Sequence, residues 1–170
     1  MALLIGLVLF ITIACCKKPA RTYPINYILL LIFTLCWGYM VAGTCSWYDP
    51  TYVFVAAALT AVSVVGLTIF SATCMSDKLF TVCLMAAVCL LFCLFPAMLM
   101  MWIFPTYWLY CLICGGCVIL SSIYIVIDTQ MIMKDLSTDE YIFGALILYI
   151  DIINMFLWLL SLFAGGGGAD

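Results

Sequence analysis

The sequence predicts an all-α fold, a polytopic bundle of membrane-spanning helices, and three observations lead there. First, 69% of its 170 residues are hydrophobic and only 8% are charged, too little polar surface to coat a water-soluble globule. Second, the apolar residues come in long continuous runs rather than in the apolar/polar alternation of a transmembrane barrel. Third, an unpaired backbone group costs several kcal/mol inside a bilayer, so spanning segments that are not barrels must be helices.

Taking ~20 apolar residues as one span, the chain divides into six membrane segments. A run from Ala2 to Cys16 comes first, and the charges Lys17, Lys18 and Arg21 follow it instead of preceding it, which is the reverse of a signal peptide. It reads as a span clipped at its start. Next come Tyr27 to Gly43 and Tyr52 to Phe70, the latter entered through Asp49 and Pro50. The fourth, Leu79 to Ile103, contains Pro96, which removes one backbone donor and should kink the helix. Tyr107 to Ile127 and Tyr141 to Ala164 complete the set, separated by a turn in which Ser137 and Glu140 have capping-box spacing. Residues 1–164 form one transmembrane domain, and 165–170, mostly glycine, read as a flexible tail. Trp47, Tyr48, Tyr107 and Trp108 near segment ends suit the membrane interface.

If all six segments cross, Lys17, Lys18, Arg21, Lys78 and Lys134 fall in alternate loops, and the positive-inside rule puts those loops in the cytosol. No basic stripe suggests nucleic acid as a partner. The chain has no His, so serine–histidine and cysteine–histidine catalysis are excluded, and no enzyme activity is expected. Most of its eleven Cys residues lie within apolar runs, where Cys packs as a small hydrophobe. Cys111, Cys114 and Cys117 follow a three-residue spacing, but no second cluster completes a tetrahedral metal site. Cys15 and Cys16 at a membrane edge are a plausible palmitoylation site, with packing the plainer reading.

Six of the eight acidic residues lie in loops or at the terminus, where water explains them. Asp128 and Asp151 do not. Asp128 ends one apolar run and Asp151 sits in the middle of another, where a charge costs ~2.5 to 3.5 kcal/mol at the bilayer centre. The turn between the two segments lies at their sequence midpoint. In an antiparallel hairpin, residues equally far from the turn share a depth, here roughly 15 Å if the preceding helix continues past Asp128. Two carboxylates in a low-dielectric site cannot both ionise cheaply, so they are expected to share a proton and to act as a pH-sensitive latch or a cation site. Asn154, Trp158 and Ser161 follow Asp151 on one helical face, which should point into the bundle. A plainer alternative is that a protonated Asp151 merely hydrogen-bonds a neighbouring helix while Asp128 is wetted at a helix end.

The elements Ile127-Asp128-Thr129-Gln130, Thr138-Asp139-Glu140-Tyr141-Ile142-Phe143 with Ala145-Leu146, and Leu148-Tyr149-Ile150-Asp151-Ile152-Ile153-Asn154 resemble the Bax-inhibitor (TMBIM) superfamily. Upstream, Cys15-Cys16-Lys17-Lys18, Tyr23-Pro24-Ile25-Asn26, Phe33-Thr34-Leu35 and Thr68-Ile69-Phe70-Ser71 are similar to its lifeguard branch. The resemblance implies a seven-helix fold with the Asp151 segment at its centre. It further implies a pH-sensitive calcium leak channel, or a regulator of calcium, in an internal membrane such as the endoplasmic reticulum or Golgi, restraining cell death. Asp128 and Asp151 match the family's pH-sensing aspartates, whose hydrogen bond is implied to latch the pore. Lys17 is the nearest match to a basic residue that engages the pair, with Lys18 and Arg21 as alternatives. The family's first helix has no counterpart, so six segments are visible where seven are expected.

Ca2+ prefers oxygen ligands, and Asp128, Asp151 and Asn154 could supply part of a site for it as the permeant ion. Lipid, Ca2+, protons and cell-death regulatory membrane proteins are the expected partners, with no tightly bound cofactor. Two other readings stay open. One is a non-conducting interaction protein regulating cell death. The other is an intramembrane aspartyl protease, which also needs two aspartates but whose G-x-G-D arrangement is absent around Asp151.

Overall fold

The computed structural model describes residues 25–74, 76–134, 136 and 141–165. These form five helices, α1 (Ile25–Cys45), α2 (Pro50–Thr73), α3 (Asp77–Ile103), α4 (Tyr107–Lys134) and α5 (Tyr141–Gly165). All five are long and apolar enough to cross a membrane. The first apolar run, Lys17, Lys18, Arg21, the Ser137 and Glu140 capping box and residues 166–170 lie outside the described residues.

Each helix starts and stops close to where the apolar runs do. Asp49 is the N-cap of α2 and Pro50 follows it, where a missing N–H costs nothing and the fixed φ suits a helix start. Ser76 precedes α3, which carries Pro96 inside it and ends with the Phe104 N–H on the Met100 carbonyl. The main extension is in α4. Its apolar run ends at Ile127, yet the helix continues to Lys134, 28 residues in all, about 42 Å at 1.5 Å per residue and longer than a ~30 Å hydrocarbon core.

The bundle is organised on α4 and α5, an antiparallel pair. α2 packs against both members, α3 against α4, and α1 against α5. Ala87 and Leu94 of α3 pack with Ile113, Cys117, Leu120 and Ile127 of α4, and Trp158 of α5 joins that cluster. On the other side Ala56 of α2 meets Ile125 of α4 and Met155, Leu159 and Leu160 of α5. Phe33 and Leu146 join α1 to α5, with the Phe33 ring 6.1 Å from that of Tyr149.

Close approaches at Gly116 and Gly144 depend on the absence of a side chain. A Cβ on Gly116 of α4 would lie 2.6 Å from the Leu94 side chain of α3, and one on Gly144 of α5 2.7 Å from Leu136. Small residues let membrane helices approach closely where no hydrophobic effect drives them together. The outer faces of α1, α2 and α3 are apolar and exposed, Phe92 and Phe95 among them, as a surface facing lipid must be. Trp47 and Trp108 are also exposed, at the helix ends away from Lys134.

Candidate functional site

The α4–α5 hairpin sets the site. Its register is fixed at one end by Gly144, which faces Ile132 and Leu136, and at the other by Tyr110, whose hydroxyl donates to the Ser161 carbonyl at 3.1 Å. Residues whose numbers sum to about the same value therefore face one another along the seam. Asp128 and Asp151 obey that relation, and their carboxyl groups are in side-chain hydrogen-bond contact. α4 does continue past Asp128, the condition on which equal depth rests.

Asp151 is buried, 8% exposed, and Asp128 is half-buried. A hydrogen bond between two carboxyl groups requires that one of them carry the proton, so the contact describes a singly ionised pair or a neutral one. Asp151 Oδ2 has no hydrogen-bond partner in the structure. A proton shared with Asp128, water or a cation would satisfy that oxygen.

The rest of the polar face on α5 is only half-buried. Asn154, Trp158 and Ser161 are all intermediate in exposure, and Trp158 is drawn into the apolar α3–α4 cluster. Asn154 lies about one turn from Asp151 on α5. Lys17, the sequence's candidate basic partner, lies outside the described residues. Among the described residues no group of three His, Cys, Asp or Glu could hold a metal ion, and the Cys111, Cys114 and Cys117 thiols are all free.

The family model described as inhibitor of apoptosis-promoting Bax1 matches residues 1–168. The chain belongs to this Bax1-inhibitor family. It is 34% identical to protein lifeguard 3 of Mus musculus over 92% of the chain and 52% of that relative, and 32% identical to the Homo sapiens lifeguard 3 over 91% and 52%. Protein LIFEGUARD 4 of Arabidopsis thaliana is 33% identical over 84% of the chain and 59% of its own length. The chain thus spans about half the length of the curated lifeguard relatives it matches first. As a member of the Bax1-inhibitor family with five helices able to span, it is an integral, multi-pass membrane protein.

In this member of the family, sequence reasoning missed two residues of α4 that flank Asp128 in the sequence. Tyr124 is one turn before Asp128 on α4, and both carboxyl groups lie within electrostatic range of its phenol. The i, i+4 spacing was the available signal, obscured because aromatic residues are common in every segment. Gln130 is fully buried, at 0% exposure, and neither its amide nitrogen nor its oxygen has a partner in the structure. Its position beside Asp128 in the sequence hid the fact that it faces away from it.

Proposed function

We propose that this Bax1-inhibitor family member is a pH-sensitive calcium leak channel, or a regulator of calcium in an internal membrane, with the Asp128–Asp151 pair as its gate. The supporting observation is the contact of these two carboxyl groups inside a membrane-spanning hairpin, with one Asp151 oxygen buried and unpartnered. With one proton the pair is a hydrogen-bonded clasp between α4 and α5. With none it is two like charges that repel one another and attract a divalent cation. Protonation and Ca2+ therefore compete for the same oxygens, which makes a leak through this seam pH-dependent. Asn154 supplies a further oxygen ligand, and Lys17 a counter-charge that steadies the ionised pair. The family description and the lifeguard names support a role in restraining cell death, placed here in endoplasmic reticulum or Golgi membranes.

The test is Ca2+ flux into or out of liposomes carrying the purified full chain, measured across pH and repeated with Asp128→Asn and Asp151→Asn. Flux whose pH dependence disappears in both variants is the expected result. Absence of flux at every pH, with cell-death activity intact, would replace the channel by a non-conducting interaction protein.

A further inference from the structure

Between the carboxylate pair and the far end of the bundle, the α4–α5 seam carries a row of polar side chains. From Asp128 toward the start of α4 these are Tyr124, Ser121, Cys117, Cys114 and Tyr110, spaced by three or four residues so that they share one face. Across from Tyr110 on α5 is the Ser161 carbonyl. Cys114 is 1% exposed, and Cys117 and Ser121 are also buried. Three observations mark the row as more than packing.

The Ser121 hydroxyl donates to the Cys117 carbonyl of its own helix at 2.9 Å. It is therefore not spent on holding α5, and its oxygen lone pairs remain available to a passing water or cation. Asp151 Oδ2, buried and without a partner, stands at the inner end of the row. At the outer end the row is closed by a contact that depends on two particular groups: the Tyr110 hydroxyl donates to the Ser161 carbonyl at 3.1 Å, with a second interaction to Cys114. The Tyr110 ring lies so close to the end of α5 that a Cβ on Gly165 would strike it.

We propose that the α4–α5 seam is the route by which a cation reaches the Asp128–Asp151 pair from the membrane face away from Lys134, and that the Tyr110 hydroxyl on the Ser161 carbonyl is the closure of that route. This rests on the channel reading above and adds a path and an outer gate to it. The closure is a single net hydrogen bond over a small ring contact, so thermal opening is infrequent but accessible. When the tyrosine swings away, Cys114 and Cys117 become the first side chains a polar visitor meets. The ion passes thiol and hydroxyl groups that bind it weakly before reaching the carboxylates, which bind it well.

Native cysteines make the route testable. The full chain in liposomes is treated, on the face away from Lys134, with a membrane-impermeant methanethiosulfonate carrying a quaternary ammonium, and each cysteine is followed by peptide mass spectrometry. Tyr110→Phe, which deletes the hydrogen bond and keeps the ring, is expected to raise the labelling rate of Cys114 and Cys117 about tenfold, the shift that loss of one such bond brings. Gly165→Ala, which pushes the ring off, should act in the same direction. Cys89 and Cys93, exposed on the outer face of α3, sit in lipid and should stay unlabelled, which also reports that the bundle is intact. Equal labelling in wild type and both variants, or labelling of Cys89 and Cys93 alongside Cys114, overturns the route. The readout is independent of flux: a seam that opens to the reagent in a protein that passes no Ca2+ would sink the channel reading and leave the outer closure standing.

Discussion

Asp128 and Gln130 stand two residues apart on α4 and face opposite sides of it. Asp128 meets Asp151 on α5. Gln130 lies on the stripe defined by Val126, whose carbonyl receives the Ser71 hydroxyl of α2 at 3.0 Å, and by Lys134, which pairs with Asp77 at the start of α3. It thus lies about 200° around the helix from Asp128. One short motif serves the carboxylate site on one face and, on the other, the stripe that meets the end of α2 and the start of α3.

Gln130 carries two buried polar atoms with no partner. Replacing it by an apolar residue of similar length, Gln130→Met, removes both and should raise stability by about 1 kcal/mol or more. Thermal unfolding in detergent, followed by size-exclusion fluorescence, measures it. A loss of stability would mean that ordered water satisfies the amide.

Asp128→Asn and Asp151→Asn keep a hydrogen-bonding side chain of the same size but remove one ionisable member of the pair. Each variant should retain near wild-type stability and lose most of the pH dependence of Ca2+ flux, because no pH then produces two like charges in the seam. A pH profile unchanged in either variant would move the sensor elsewhere.

At the α3–α4 contact, Gly116→Val should cost about 1–3 kcal/mol, since the added atoms meet the Leu94 side chain where a Cβ alone would approach to 2.6 Å. Leu94→Ala in the same chain should recover part of the loss, and a double-mutant cycle reads the coupling. Additive effects would show that the two residues do not press on one another.

The Ser71→Ala variant loses the cross-helix bond to the Val126 carbonyl, which is fully buried on the Ser71 side. Hydrogen bonds between membrane helices average ~0.6 kcal/mol, so a small but measurable drop in unfolding temperature is expected. Lys134→Gln should change stability less, because its partner Asp77 has a side chain 99% exposed and surface ion pairs contribute ~0–1 kcal/mol. If Lys134→Gln proves the more damaging of the two, the ion pair has a role that its exposure does not explain.

The apolar runs by themselves determined both ends of α1, α2, α3 and α5 to within a few residues, and the start of α4, because the length a bilayer demands is written directly into composition. They also determined that Asp128 and Asp151 share a depth, since in a helical hairpin depth is counted from the turn. The end of α4 was not legible: the apolar run stops at Ile127, yet the helix continues to Lys134 with Thr129 and Gln130 buried in the bundle. Tertiary structure alone decided the direction each side chain faces across the bundle. Rotation of one helix against another is set by close contacts such as Gly116 on Leu94 and Tyr110 on Ser161, between residues distant in sequence and chemically ordinary within it. That rotation joined Asp128 to Asp151, buried Gln130 away from both, and closed the seam that leads to them.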